Sequence, residues 1–145
     1  MPTHSTRRKN RLSVQYAVRR RGVPAPASLR KWAGYAASQV TLRIVGESEG
    51  RRLNRSYRNK NYATNVLSFA YGDGGGDVVL CHPVIAREAR AQGKSIAAHY
   101  AHLVVHGILH LRGYRHERKE EARRMERAEI RLLRQAGFPD PYTVE

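Results

Sequence analysis

The sequence predicts an α+β protein with one domain, in which helices pack over a small mixed sheet of four strands. Segments in which apolar and polar residues alternate, typical of half-buried strands, come mainly early in the chain, and the longest segments with helical spacing come late. The length of 145 residues suits one domain with its own hydrophobic core. No repeat or linker divides the chain, so we expect residues 11–145 to form this domain.

The first half of the chain is predicted to contain two strands and two helices. Residues 1–10 are polar and basic, and we expect them to be a disordered arm in front of the domain. Apolar residues alternate over 12–18 and again over 40–44, which predicts the first two strands. Pro26 introduces a helix between these strands, and a second helix is predicted over 48–58.

The second half is predicted to contain two strands and three helices. Residues 65–70 and 77–82 are apolar runs separated by the glycine-rich turn 72–76, which predicts two neighbouring strands. Three helices are predicted after them, over 83–93, 96–111 and 117–136.

The chain is strongly basic. Its formal net charge is +15 and its pI is near 10.9, which implies a polyanionic partner, with nucleic acid as the leading candidate. No segment reaches the roughly 18 apolar residues of a membrane span, and the basic N-terminus lacks the apolar stretch of a secretory signal. The one cysteine, Cys81, excludes an intramolecular disulfide. We therefore expect a cytoplasmic protein that does not contact a membrane.

Three histidines form the clearest chemical signal in the sequence. His106 and His110 are four residues apart in a predicted helix, so both imidazoles lie on one helical face. Gly113 adopts left-handed backbone angles at little steric cost, so it can stop the helix and let the chain bring His116 back towards the other two. Three imidazoles with an open fourth position describe a catalytic zinc site. We expect one Zn²⁺ per chain, bound by this central helix and the turn after it.

The same histidine spacing occurs in metzincin proteases, which place a glutamate directly after the first histidine. In this chain that position is Gly107, so the general base of a peptidase is missing. The sequence therefore predicts a zinc site that performs other chemistry.

Several segments of the chain recur in the order of a known family. These are LNRSYRNKNYATNVLSF at 53–69, Gly76-Asp77, Glu88-Ala89, HLVVHGILHLRGYRH at 102–116, Met125, Glu129 and Pro141-Tyr142. Together they resemble the YbeY family of zinc-dependent endoribonucleases, which act in the maturation of bacterial ribosomal RNA. The resemblance covers nearly the whole chain after the basic arm.

The resemblance implies roles for four residues. His106, His110 and His116 match the family's zinc ligands, and Arg58 matches an arginine regarded as important for activity. A guanidinium fits that task because it presents a fork of donors to phosphate oxygens and stays charged at any working pH. We expect Arg58 to be catalytic by offsetting charge on the phosphate, and the alternative is an ordinary surface arginine.

Other positions near the motif carry narrower expectations. His102 lies one turn before His106, where it either orients a ligand, contacts substrate or is a core histidine. Glu129 falls on the apolar face of the last helix and needs a partner if it is buried. The chain departs from the family pattern at Ala63, where proline is usual, and at Arg115, where aspartate is usual. We expect Arg115 to point away from the metal, towards RNA.

The resemblance implies a zinc-dependent, single-strand-specific endoribonuclease in ribosomal RNA processing and ribosome biogenesis. Its expected partners are ribosomal RNA precursor and the ribosome or its small subunit, with room for a protein partner. One alternative is a non-catalytic ribosome- or RNA-binding factor with a structural zinc, which the charge favours and the open zinc position opposes. The other is a metallopeptidase, which the histidine spacing favours and Gly107 opposes.

Overall fold

Nine helices and strands follow one another along residues 9–143, which are the residues that this computed structural model describes. They are β1 (Leu12–Tyr16), α1 (Pro26–Ala33), β2 (Val40–Val45), α2 (Glu47–Arg58), β3 (Val66–Ala70), β4 (Gly76–Cys81), α3 (His82–Gln92), α4 (Ile96–Leu111) and α5 (Lys119–Gln135). Residues 1–8 of the predicted basic arm lie outside the described residues. Asn10 contacts the domain, because its Oδ1 accepts a hydrogen bond from the Ala36 amide at 2.9 Å.

The four strands form one mixed sheet in the order β1-β2-β4-β3. The first three strands in that order are parallel, with Leu42 opposite both Val14 and Val78. Strand β3 is antiparallel to β4 and is an edge strand. A mixed four-stranded sheet with five helices confirms the predicted α+β class.

Helices cover both faces of the sheet. Side chains alternate between the two faces of a strand, so neighbouring residues of β4 belong to different clusters. Val78 and Leu80 pack with α1, α3 and α4 in the larger core cluster, whereas Val79 and Cys81 pack with Leu53 of α2 in a smaller one. Helices α4 and α2 therefore lie on opposite faces.

Helix α4 is the central helix of the fold. It spans the predicted residues 96–111 and contacts α1, α3, α5 and the sheet. At Gly107 it comes very close to the sheet, since a Cβ added there would lie 2.6 Å from Cγ1 of Val78. The Ser68 hydroxyl donates a hydrogen bond to the Gly107 carbonyl at 3.1 Å. Glycine is therefore required at this position by packing between helix and sheet.

The element boundaries differ from the predictions by a few residues. His82 was predicted to end the fourth strand, but it begins α3 because Pro83 fits the first turn of a helix. The last helix begins at Lys119, two residues later than predicted, where the Glu121 side chain accepts a hydrogen bond from the Arg118 amide at 3.2 Å. No helix within residues 9–143 is both long and apolar enough to cross a membrane.

Candidate metal centre

The structure brings the three predicted zinc ligands together. His106 and His110 lie one turn apart in α4, and each offers a ring nitrogen within 4.8 Å of the others and of one on His116. His116 follows a turn in which Gly113 has a φ of +97°, the left-handed conformation predicted for it. The His116 ring centroid lies 5.7 Å from that of His106 and 4.9 Å from that of His110. His116 is exposed, so the cluster opens towards solvent on that side.

Hydrogen bonds fix the tautomers of the two helical histidines. Nδ1 of His106 lies 2.5 Å from Oε2 of Glu129, and Nδ1 of His110 lies 3.0 Å from the Tyr114 carbonyl oxygen. A carboxylate and a carbonyl only accept hydrogen bonds, so the proton of each neutral ring is on Nδ1. Each Nε2 therefore carries a free lone pair.

The two free nitrogens face each other. Nε2 of His106 and Nε2 of His110 are 3.1 Å apart, and when both rings are neutral neither nitrogen has a proton to donate to the other. Two lone pairs at this distance repel unless a proton or a metal ion lies between them. Tetrahedral zinc with bonds of about 2.0–2.1 Å would separate two such nitrogens by about 3.3 Å, so the pair fits this ion.

The carboxylate of Glu129 is fully buried beside the histidines. It accepts hydrogen bonds from His106 and from the Tyr142 hydroxyl, and Nε2 of His102 lies 3.6 Å from its Oε2. Burial raises the pKa of Glu129, but the nearby His102 ring and the hydrogen bonds from His106 and Tyr142 outweigh this effect and lower it to about 2. The polar partners that a buried Glu129 needs are therefore His106 and Tyr142, and the carboxylate is ionised at neutral pH.

A second group of side chains has the composition of a metal site. It consists of His102, His106 and Glu129. Both oxygens of Glu129 already accept hydrogen bonds, and Nδ1 of His106 is a donor to one of them. Nε2 of His102 also lies 3.3 Å from the Tyr142 hydroxyl. This group is therefore a hydrogen-bonded support for His106, and His102 belongs to the support.

The protonation of His110 also favours metal binding. Burial lowers its pKa, and the nearby His106, His116 and Arg115 lower it further, against an opposing contribution from the Tyr114 carbonyl. His110 is therefore neutral near pH 7, which is the form that binds metals.

Arg58 is carried by α2, which packs on the face of the sheet opposite α4. It is the last residue of α2 and its side chain is exposed. The neighbouring Tyr57 ring packs on Phe69 of β3, with centroids 4.5 Å apart, whereas Ser68 of the same strand faces α4. Among residues 9–143, no hydrogen bond or ion pair joins Arg58 to the histidine cluster. The two helices that carry these residues contact β3 from opposite faces.

Two groups at the centre had no predicted role. The Tyr114 carbonyl is a backbone atom, so no residue type marked its hydrogen bond to His110. Tyr142 matched a family segment, but its contact with Glu129 depends on how the C-terminal residues return to α5. Only the apolar position of Glu129 signalled a buried polar partner.

Comparison with known proteins gives a consistent result. A family model described as Endoribonuclease YbeY matches residues 22–137. A protein of Aromatoleum aromaticum named Endoribonuclease YbeY is 52% identical over 140 residues, covering 90% of this chain and 91% of its own. A protein of the same name from Nitrosomonas eutropha is 46% identical over 140 residues and covers 92% of this chain and 99% of its own.

A solved structure is also similar in outline. The solution structure of a Thermotoga maritima protein is 22% identical, with a TM-score of 0.48, over 92% of this chain and 99% of that one. The family match over most of the chain, together with relatives near 50% identity, is decisive. The chain belongs to the endoribonuclease YbeY family.

Proposed function

We propose that this protein is a zinc-dependent endoribonuclease that hydrolyses phosphodiester bonds of single-stranded RNA in ribosomal RNA maturation. Its single Zn²⁺ is held by His106, His110 and His116. The observation that carries the proposal is the pair of Nε2 lone pairs 3.1 Å apart, each on a ring whose Nδ1 is already a hydrogen-bond donor. Membership of an endoribonuclease family supports RNA as the substrate.

The centre has the parts that a hydrolytic site needs. A zinc ion held by His106, His110 and His116 would supply Lewis acidity and would lower the pKa of a bound water towards about 7. Glu129 holds the His106 ring in the tautomer that presents Nε2, and its negative charge offsets part of the charge of the ion. Its oxygens are buried and occupied, so Glu129 does not act as a general base on substrate.

Arg58 is proposed to contact the phosphate backbone and offset its charge during cleavage. Its exposed guanidinium at the end of α2 is available to RNA. Because α2 and α4 flank β3 from opposite faces, an RNA chain that passes over this edge of the sheet can contact both sites. If the bound RNA contacted only the α4 face of the sheet, Arg58 would have no role in cleavage.

The net charge supports the proposed partners. A charge of +15 favours a polyanionic partner such as RNA and makes binding sensitive to salt. Within that class, membership of the family leads us to propose ribosomal RNA precursor and the ribosome or its small subunit, in the cytoplasm. We propose that residues 11–145 form the nuclease domain and that the basic residues 1–10 add to RNA contact, with room for a protein partner.

The test combines metal analysis with RNA cleavage. The purified full chain is incubated with ribosomal RNA precursor, with chelator, and with chelator followed by zinc, beside His110→Ala and the control His82→Ala. We expect one zinc per chain, cleavage that chelator removes and zinc restores, and loss of both metal and cleavage only in His110→Ala. Undiminished zinc in His106→Ala, His110→Ala and His116→Ala would exclude the ligand assignment.

The same samples separate the two alternatives. A structural zinc would make chelation unfold the protein, whereas a catalytic zinc leaves most of the fold when it is removed. A peptide library incubated beside the RNA tests for peptidase activity. We expect none, because the backbone at Gly107 packs against Val78 and leaves no room there for a glutamate side chain.

A further inference from the structure

The turn that leads from α4 to His116 forms part of a pocket. It has a volume of about 200 Å³ and lies between the turn after α4 and the first turns of α5. Its walls are formed by Arg112, Gly113, Tyr114, Arg115, Glu121 and Arg124. We call it the arginine pocket.

The charge of the arginine pocket is not balanced. Three arginines and one glutamate are among its lining residues, and Oε1 of that glutamate, Glu121, already accepts a hydrogen bond from the Arg118 amide. Among residues 9–143, neither Glu121 nor any other carboxylate forms an ion pair with these three arginines. Like charges gathered at one pocket repel one another, so an anion bound there is stabilised.

The backbone ties this pocket to the candidate centre. Tyr114 lines the pocket, and its carbonyl oxygen accepts the hydrogen bond from Nδ1 of His110. Arg115, which also lines it, directly precedes His116. The pocket therefore includes the residue that precedes His116 and the residue whose carbonyl bonds to His110.

We propose that the arginine pocket binds one backbone phosphate of the RNA, adjacent to the phosphate that is cleaved. Arginine suits this ligand because its planar fork forms paired hydrogen bonds with phosphate oxygens. The pocket has no aromatic face other than Tyr114 and is open to solvent, which suits a phosphodiester better than a base. This inference rests on the proposed function, because it assigns a subsite for the same RNA substrate.

The proposal is tested with a set of short single-stranded RNAs. In each RNA, one backbone phosphate at a different position is replaced by a neutral methylphosphonate. Their affinity for the full chain is measured by fluorescence anisotropy, with the RNA checked for intactness on a gel. The proteins are wild type, Arg115→Ala, Arg124→Ala and the control Arg90→Ala, which removes an exposed arginine from α3. Cleavage of the unmodified RNA is mapped separately.

In wild type, we expect that neutralising one phosphate next to the cleavage site weakens RNA binding about tenfold, because one charge-assisted contact is lost. In Arg115→Ala and Arg124→Ala this sensitivity should disappear, and the log–log salt slope should become shallower by about one unit. Arg90→Ala should keep the wild-type pattern.

Two outcomes would overturn the inference while leaving the proposed function intact. One is RNA that is cut normally but shows the same methylphosphonate profile in wild type and both pocket variants. The other is an equal loss of affinity in Arg90→Ala, which would indicate general surface charge.

A further outcome would also overturn the inference. If inorganic phosphate stabilises wild type against heat but not Arg115→Ala, while the RNA profile is unchanged, the pocket takes free phosphate instead. Failure to cut RNA at all would contradict the proposed function itself.

Discussion

At the scale of single residues, the two helical histidines of the centre are oriented by hydrogen bonds to different partners. A buried carboxylate holds His106, and a backbone carbonyl from the turn after α4 holds His110. Both partners accept a hydrogen bond from Nδ1–H, so on each neutral ring Nε2 is left without a proton. The buried charge of Glu129 is thus explained by its support of the site.

Replacing Glu129 tests this explanation. Glu129→Gln removes the charge and weakens the preference for a proton on Nδ1 of His106, so we expect zinc affinity to fall about 10- to 100-fold. Tyr142→Phe, which removes one donor to Glu129, should lower it less. The measurement is competition with a chromogenic chelator. Glu120→Gln, an exposed carboxylate on the same helix, serves as the control. Equal zinc affinity in Glu129→Gln and wild type would show that the carboxylate only fills a buried position.

At the scale of secondary-structure elements, the close approach of α4 to the sheet is the main constraint. Gly107 sits where α4 meets Val78 of β4, and the Ser68 hydroxyl of β3 binds its carbonyl. Gly107, which lies between the two proposed ligands in sequence, therefore serves the contact between α4 and the sheet.

We predict that Gly107→Ala destabilises the protein in spite of its better helix propensity. The gain in propensity is about 1 kcal/mol, whereas a methyl group 2.6 Å from buried Val78 forces a shift that typically costs about 1–3 kcal/mol. The stiffness of a β-branched neighbour places the cost at the upper end of this range. Thermal and urea unfolding measure the change. Gly46→Ala is the control, since its added Cβ meets only Val18 at 3.7 Å; replacing glycine at the N-cap of α2 should cost about 1 kcal/mol or less. An increase in stability for Gly107→Ala would contradict this packing argument.

The end of α2 yields a second prediction at this scale. If Arg58 acts on the phosphate, Arg58→Ala should reduce RNA cleavage about 100-fold while zinc content and melting temperature stay unchanged. Arg55→Ala removes an exposed arginine one turn earlier on the same helix and should keep most of the activity. Cleavage rates, metal content and melting curves are compared for both. Similar losses in the two variants would indicate that α2 contributes only general positive charge.

At the scale of the whole molecule, the distribution of buried histidines makes stability depend on pH. Burial lowers the pKa of His82, whose Nδ1 lies 2.6 Å from the Tyr100 hydroxyl, below its ordinary value of 6.5. Burial likewise lowers the pKa of His99, although its Glu88 partner acts in the opposite direction. His110 is shifted the same way. The folded protein therefore binds fewer of these protons than the unfolded chain does.

The sign of the pH effect follows from this difference. A histidine with a lowered pKa contributes stability that is present above about pH 6.5 and is lost as the pH falls towards its folded-state value. We expect the free energy of unfolding of metal-free protein to fall between pH 7.5 and about 5. Protonation of Glu129 removes further stability below its ordinary pKa of 4.5, down to about 2.

Urea unfolding at several pH values, in chelator, measures the slope. His82→Gln removes one of the contributing groups far from the centre, so its stability should decrease less steeply over the same range. Constant or increasing stability of the wild-type chain between pH 7.5 and about 5 would contradict the prediction.

The sequence by itself determined the α+β class, the position of every strand and helix to within a few residues, and the clustering of the three histidines. These features follow from local rules: alternation in strands, four-residue spacing in helices and a glycine that tolerates a positive φ. His106, His110 and His116 lie within eleven residues of one another, so one helix and one turn suffice to bring them together.

Only the tertiary structure decided which groups support that cluster and which lie apart from it. Glu129 reaches His106 across 23 residues of sequence, and Tyr142 reaches Glu129 across 13, through the packing of α5 and the C-terminal residues beside α4. The position of Arg58 likewise depends on which face of the sheet α2 covers. Such contacts depend on the packing of whole elements, and a residue's own neighbours in sequence do not encode them.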